Sequence, residues 1–485
     1  MKTFILTIVS LIAFYGCAGK SHQIDVELVK SPDVDMSLAV QRLSEAIQIK
    51  TVSYSDTATT ESAAFDQINA YFEESFPLTH SALDRQFINT HSLLYTWKGT
   101  NLSLNPVVLL SHTDVVPADT SSTSRWNIEP FAGKVKDDIL WGRGTVDDKS
   151  SVLGIFESVE LLLSQNFQPE RTIILAFGHD EEIGGKSGAH YLAEALRKQN
   201  ITPAMILDEG GAIVEEGVPG VSVPVALIGI AEKGYLSLEL SVEGVGGHSS
   251  MPPKETAITV LSKAIAELSD NPMPATLEGP IKEMLVTLAP ETAFPFNFLF
   301  SNLWAFGGII EGQLAASSKS NALIRTTTAP TIFHAGVKDN QLPQVAIAVV
   351  NFRLKPGDSI DDVIDHVKAV IDNPNITVQP IGDFPQEASD VSNYKTSQYN
   401  AIAKSIRQTF PEVLVTPYLT VGGTDTKHYK DMTDQIYRFL PIQFTPEQLD
   451  GMHGVDEHIT RLDYERVITF YIQFILNATG PERLF

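Results

Sequence analysis

Three nearly unbroken apolar runs of strand length mark the first half of the chain: Pro106 to Ser111, Thr172 to Phe177 and Ala204 to Leu207. A strand apolar on both faces belongs in a parallel sheet covered by helices. Val152 to Leu163, between the first two runs, has helical apolar spacing, and Leu38, Leu43, Ala46 and Ile47 space out a first helix. Strands alternating with helices predict an α/β layer with a mainly parallel sheet between helices.

From about Glu232 the period changes. Tyr235 to Val242 alternates apolar and polar residues, as a half-exposed strand does. Thr256 to Leu268 reads as an amphipathic helix, Leu323 to Thr327 and Val345 to Leu354 as strands, Ile360 to Ile371 as a helix, and Ile376 to Ile381 as a strand. The order β-α-β-β-α-β predicts four strands with two helices on one face. The chain thus divides into one domain over 35–232 and 384–485 and an inserted α+β lid over 233–383. Residues 270–320 interrupt the lid with an apolar stretch that includes Phe294, Phe296, Phe298, Leu299, Phe300, Leu303 and Trp304. It reads as lid core, as a surface for an acyl chain or hydrophobic side chain, or as a membrane contact.

Candidate chemistry lies in five clusters of acids and histidines: His112-Thr113-Asp114, Asp147-Asp148, Asp180-Glu181-Glu182, Asp208-Glu209 and Met452-His453-Gly454. His112, Glu181-Glu182 and Asp208 stand just past the last apolar residue of a predicted strand. Ligands of open α/β sheets bind at those carboxyl ends. Two imidazoles with several carboxylates suit a hydrolytic divalent metal, zinc above all. Five protein ligands exceed what one catalytic zinc takes, because it keeps a position for water. The surplus points to two metals sharing a carboxylate. Singly, each cluster has a plainer explanation: a hydrogen-bonded histidine, a loop acid, a helix cap, or solvated charge before the Gly184-Gly185 turn. Their joint occurrence at strand ends is what points to metal.

Composition narrows the classes further. A chain of 485 residues, 43% hydrophobic, can bury a large core in two domains. Its net charge, 35 − 59 = −24, repels phosphate backbones and argues against nucleic-acid binding. Met1-Lys2-Thr3 and the apolar run Phe4 to Tyr15 have the form of a signal peptide over residues 1–17, too short for a stable span. Phe14-Tyr15-Gly16-Cys17 resembles a bacterial lipoprotein cleavage site; the alternative is ordinary cleavage near Ala18. The expectation is an exported protein, periplasmic or tethered through a lipidated Cys17 and facing the periplasm or exterior. Cys17 is the only cysteine, so no internal disulfide can form.

The ordered motifs His-x-Asp, Gly-Arg-Gly-x-x-Asp-Asp-Lys, Asp-Glu-Glu-x-Gly-Gly, Gly-Gly-His-Ser and a late His-Gly resemble those of the co-catalytic zinc peptidases. That family includes aminoacylase, carnosinase and glutamate carboxypeptidase. Leu207-Asp208-Glu209-Gly210, Gly247 to Pro253 and Gly422-Gly423-Thr424-Asp425 are most similar to its branch of yeast-type carboxypeptidase S and the N-fatty-acyl-amino-acid synthase/hydrolase. The resemblance runs from about residue 38 to the C-terminus. It implies that Asp147 bridges two Zn2+ ions (Co2+ or Mn2+ as substitutes), with His112 and Asp208 completing one site and Glu182 and His453 the other. It further implies Glu181 as general base, Asp114 orienting His112, and a cis peptide at Asp147-Asp148. His248 would stabilise the tetrahedral oxyanion, often in a partner subunit's site, with a helix-capping role as its plainer reading. Arg353 and Asn321 on lid strands and the turn Gly422-Gly423-Thr424 would hold the substrate's carboxylate, a surface strand position and ordinary turns being the plainer readings.

The activity implied is cleavage of the amide bond of a small peptide or N-acyl amino acid with a free C-terminal carboxylate. An N-fatty-acyl-amino-acid hydrolase/synthase competes within that class, and an aminopeptidase is a further option. A metal-dependent peptide-binding protein without catalysis is the alternative of another class. The resemblance also implies a homodimer through the lid.

Overall fold

Successive side chains of a strand point to opposite faces, and this explains the unbroken apolar runs. The computed structural model describes residues 19–54, 62–118, 125–215 and 218–480. In it, Val107, Leu109, Ile173, Leu175 and Phe177 join one apolar core, while Val108, Leu110, Ile174 and Ala176 join another on the opposite face. Helices Lys149–Ser164, Ser397–Thr409 and Arg461–Ala478 cover the first face and Ala189–Lys198 the second. The expected signal peptide, Cys17 included, lies outside the described residues.

The main sheet orders its strands Asp84–Ile88, Ser92–Trp97, Ile173–Gly178, Val107–His112, Met205–Asp208, Ile436–Arg438, Val225–Glu232, Ala212–Val214 and Gln443–Phe444, with Leu414–Thr420 also paired to Val225–Glu232. The central strand Val107–His112 is parallel to both neighbours, and Met205–Asp208 is parallel to Ile436–Arg438. Antiparallel pairing enters at the edge with Asp84–Ile88 and Ser92–Trp97. The carboxyl ends of the central strands therefore open at one edge of the layer, each followed by a loop that carries acids.

A separate four-stranded antiparallel sheet has the order Thr327–Ala335, Val345–Leu354, Gly234–Glu243, Ile376–Gln386. Helices Ala257–Asp270 and Ile360–Ile371 pack on it around Leu236, Leu238, Leu240, Val350 and Phe352. Both helices begin in capping boxes, at Thr256 and Ser359. One predicted strand is displaced. Residues 323–324 end the helix Ser318–Ile324, and the strand starts at Thr327. It is an edge strand with mostly exposed side chains and an irregular register between Pro330 and Ile332, so it lacks the alternation that marks a half-buried strand. The fourth strand runs on to Gln386, past the expected boundary at 383.

Apart from Met273, the insertion's buried apolar residues form a core separate from that of the lid. Helices Pro280–Leu288, Phe296–Ser301, Leu303–Ala315 and Ser318–Ile324 gather Ile281, Leu285, Phe300, Ile310 and Ile324 against Val225, Leu227 and Leu414 of the main sheet.

Two loops distant in sequence are fastened by one buried carboxylate. Glu457 Oε1 accepts from the backbone N–H groups of Gly144 (3.0 Å), Val146 (2.8 Å) and Asp147 (3.2 Å), and Oε2 pairs with Arg143. Arg143 donates in turn to the carbonyl of Gly454 at 2.7 Å and lies 5.5 Å from the Trp126 ring centre. The ladder between His458–Thr460 and Ile139–Trp141 continues the seam. Removing one partner of a buried ion pair leaves the other charge without compensation. Glu457→Ala is therefore expected to cost about 3–5 kcal/mol in denaturant unfolding. A loss no greater than the ~1 kcal/mol of a surface pair would show that the seam does not hold the loops.

Candidate metal centre and active site

Asp147 is the centre of the site. It ends the loop that Glu457 holds, its peptide bond to Asp148 is cis, and the long helix Lys149–Ser164 starts just beyond. Asp148 faces away from the cluster, where its carboxylate accepts from the Ser111 hydroxyl. One Asp147 oxygen lies 3.0 Å from His112 Nε2 and the other 2.9 Å from His453 Nε2. His112 ends the strand Val107–His112, whereas His453 follows helix Pro446–Gly451 in left-handed backbone with φ 57°. Gly454 is required beside it, because a Cβ there would lie 2.2 Å from the Asp450 carbonyl oxygen.

Two donor groups share this aspartate, His112–Asp147–Glu209 and Asp147–Glu182–His453, with the ligand atoms of each group within 4.8 Å of one another. Glu209 Oε1 is 3.8 Å from His112 Nε2, and Glu182 Oε2 is 3.3 Å from His453 Nε2. The expected Asp208 is in neither group, where its neighbour Glu209 stands instead, and Asp208 Oδ2 is buried with no hydrogen-bond partner among the described residues. Asp208 is the last residue of its strand and Glu209 the first beyond it, so their side chains leave on opposite sides. Asp208 turns to the Glu209 backbone N–H and the Thr424 hydroxyl, and Glu209 turns to His112. The pair Asp208-Glu209 was visible in the sequence; which member points inward was not.

Asp114 performs two tasks. Its Oδ1 lies 3.3 Å from His112 Nδ1, and its two oxygens accept from the N–H groups of Glu181 (3.1 Å) and Glu182 (3.2 Å). It therefore sets both the imidazole and the short 3-10 turn Glu181–Ile183 that follows strand Ile173–Gly178.

The electrostatics follow from burial of surplus carboxylates. Desolvation pushes Glu182 up to about 7, with Asp147 adding to it, and raises Glu181 and Glu209 well above the usual carboxylate range. Burial would also raise Asp147, but hydrogen bonds with His112 and His453 hold it well below that range. Hydrogen bonds to Asp147 and Glu182 push His453 up to about 10, against its desolvation. In the chain by itself, protons thus balance the crowded acids. Divalent cations fit the same donor set, two imidazoles with several carboxylates, and would engage the buried Glu182 Oε1, which has no hydrogen-bond partner among the described residues.

Sequence reading missed Asp425, which is buried beneath the acidic turn. A Cβ at Gly185 would lie 2.2 Å from Asp425 Oδ1, which explains the glycine in Asp-Glu-Glu-x-Gly-Gly. Asp425 also adds to the rise of Glu181, after desolvation. The next residue, Thr426, is anchored by its hydroxyl, which donates to Glu232 at 2.9 Å and accepts from Arg438 at 2.6 Å. No spacing rule marks such residues, since only the fold brings these strand ends together.

The expected substrate residues lie outside the two donor groups. Arg353, on strand Val345–Leu354, stacks 4.7 Å from the ring centre of its cross-strand neighbour Tyr235. Asn321 is on helix Ser318–Ile324 and not on a lid strand; its side-chain oxygen is buried with no hydrogen-bond partner among the described residues. Gly422 and Gly423 are exposed with open space around them, and Thr424 caps the 3-10 turn Asp425–His428. His248 is exposed on a two-stranded ladder, where its Nδ1 accepts from the Ser250 backbone at 3.2 Å.

Comparison with known proteins identifies the family. The chain is 40% identical to "Probable carboxypeptidase S-like 2" of Dictyostelium discoideum over 99% of its own length and 93% of that protein's. It is 38% identical to "N-fatty-acyl-amino acid synthase/hydrolase PM20D1" of Xenopus tropicalis, covering 90% of the chain and 85% of the relative. Its fold matches that of an M20 family metallo-carboxypeptidase from Sulfolobus solfataricus, with TM-score 0.64 at 18% identity over 90% of this chain and 98% of that one. Residues 108–477 match peptidase family M20/M25/M40, and the chain belongs to this family of metallopeptidases.

Proposed function

We propose that this protein is a two-metal hydrolase that cleaves the amide bond of small peptides or N-acyl amino acids bearing a free C-terminal carboxylate. The observation that carries the reading is Asp147, whose two oxygens each face a different histidine and which belongs to both donor groups. His112 and Glu209 would hold one ion with it, Glu182 and His453 the other. Zinc suits this mixture of nitrogen and oxygen donors, with Co2+ or Mn2+ as substitutes. Two such ions, when bound, supply the positive charge that polarises an amide carbonyl and acidifies water.

Glu181 adjoins Glu182 but lies in neither donor group, so its carboxylate is available as the general base. It takes a proton from the attacking water and passes it to the departing nitrogen. Its burial, which raises proton affinity, suits that exchange. Asp114 keeps His112 in one tautomer and orientation. Arg353 is the candidate for the substrate carboxylate, which its planar fork can accept in two hydrogen bonds. The buried Asn321 oxygen and the open turn Gly422-Gly423-Thr424 are further candidates.

A fatty N-acyl amino acid as substrate is supported by the relative from Xenopus tropicalis, whose name states that activity. Dimerisation through the lid is supported by the edge strand Thr327–Ala335, which exposes Ile332 and Phe333, and by His248, which lies in neither donor group. Export and a lipid tether at Cys17 are supported by the form of residues 1–17 alone.

Two experiments test this reading. Zinc titration by calorimetry on metal-stripped protein is expected to give two equivalents per chain. Asp147→Asn should abolish both, Glu209→Gln should weaken one, and Asp208→Asn should leave two. Retention of both sites in Glu209→Gln with loss of one in Asp208→Asn would reverse the assignment. In the second, released amine is measured with a Gly-Leu-type dipeptide, its C-terminally amidated form and an N-oleoyl amino acid. Hydrolysis should be abolished by chelators, fall on amidation, and drop ~10²-fold or more in Glu181→Gln through lost general-base catalysis. Equal, negligible turnover by wild type and Glu181→Gln, with ligand still bound, would identify a binding protein instead.

A further inference from the structure

The inserted helices leave one apolar face uncovered, and we infer that this face rests on a lipid bilayer beside the point where the N-terminal segment enters the fold. From Thr292 to Ser318 the single charged residue is Glu311. Helix Leu303–Ala315 fully buries only Ile310. Trp304 is 87% exposed and Ile309 63%. Gly308 and Gly312 have open space where a Cβ would stand, so nothing screens the two large side chains. Trp304, Gly308, Ile309 and Gly312 recur at helical spacing and share one side of the helix. A helix side that leaves two large apolar side chains in solvent marks a contact surface.

The second observation comes from the chain's start. Gly19, the first described residue, lies with its Cβ position 3.8 Å from Pro290 Cγ, in the turn Ala289–Glu291. Helix Phe296–Ser301 packs on that turn, and Leu303–Ala315 packs on Phe296–Ser301. Gln23 is pinned to Val415 of the main sheet by reciprocal side-chain hydrogen bonds of 3.1 and 2.7 Å. Cys17 precedes Gly19 by two residues, a reach of at most about 7 Å. A membrane holding a lipid on Cys17 is therefore brought to the insertion.

Charge selects the kind of surface. At −24 the chain is repelled by anionic headgroups, so the contact is apolar rather than electrostatic. Tryptophan favours the bilayer interface, and an apolar helix side can lie in that plane. A single acyl chain binds only marginally and reversibly; an apolar face at the same point supplies a second hold. The inference rests on the export-and-tether reading of residues 1–17 and is independent of the hydrolytic chemistry.

The test uses the full chain, expressed with its leader and transferred to phosphatidylcholine vesicles carrying brominated acyl chains. Trp304→Phe provides the background from Trp97, Trp126 and Trp141. The Trp304 component should be blue-shifted, quenched by the brominated chains and shielded from aqueous acrylamide. Ile309→Glu should reverse all three while the chain stays on the vesicle and hydrolyses a soluble N-acetyl amino acid at the wild-type rate. Vesicle-bound protein whose Trp304 is quenched by acrylamide and not by bromine overturns the inference while leaving the tether intact. A chain that never reaches the vesicles overturns both. Shielding of Trp304 from both quenchers, with a doubled mass, assigns the face to a second copy and overturns the inference as well.

Discussion

Charge balance at Asp147 is the constraint on which the rest of the site depends. Ionised carboxylates in a buried cluster cost several kcal/mol each unless positive charge or hydrogen-bond donors meet them. Asp147 meets an imidazole on each oxygen, and those imidazoles come from a strand end and from a loop more than 300 residues later. Everything nearby serves to hold these pieces in register. Glu457 ties the Asp147 loop to the His453 loop through backbone donors and Arg143. Asp114 ties His112 to the turn that carries Glu181 and Glu182. The structure concentrates negative charge and fixes its geometry with buried partners, leaving Glu182 Oε1 without a hydrogen bond among the described residues.

Two apolar cores make this placement rigid and leave the lid a separate layer. The main sheet is covered on both faces, so its strand ends have little freedom. The lid sheet has its own core, built from alternate residues of its strands and the inner faces of two helices. Arg353 and Tyr235 belong to that layer, and Asn321 to the adjoining helices. The metal-binding cluster and Arg353 thus sit on different packed units, whereas Asn321 and the turn Gly422-Gly423-Thr424 lie on elements packed with the main sheet. The insertion packs on the main sheet through its own small core, and the helix side turned away from that core stays apolar.

Family membership and geometry answer different questions. The relatives match across nearly the whole chain, which places it among the M20/M25/M40 metallopeptidases. The coordinates add which side chains converge. The distinction matters most at Asp208-Glu209, two adjacent acids of which Glu209 lies in a donor group with His112 and Asp147.

The sequence by itself determined the elements whose signal is local. Apolar runs such as Val107 to Leu110 marked buried strands, and the change of period near Glu232 marked the second layer. Acids at strand ends marked the site, because binding at the carboxyl ends of a parallel sheet is a property of the topology. Tertiary structure decided what depends on direction and partnership. Glu209 rather than Asp208 faces His112 because adjacent residues leave a strand on opposite sides. Asp425, Glu457 and Arg143 gained their places only when distant loops met. Residues 318–335 became a helix and an edge strand because neighbouring surfaces, not the local pattern, decide which face is covered. Local periodicity records burial; convergence of far-apart side chains is settled by packing.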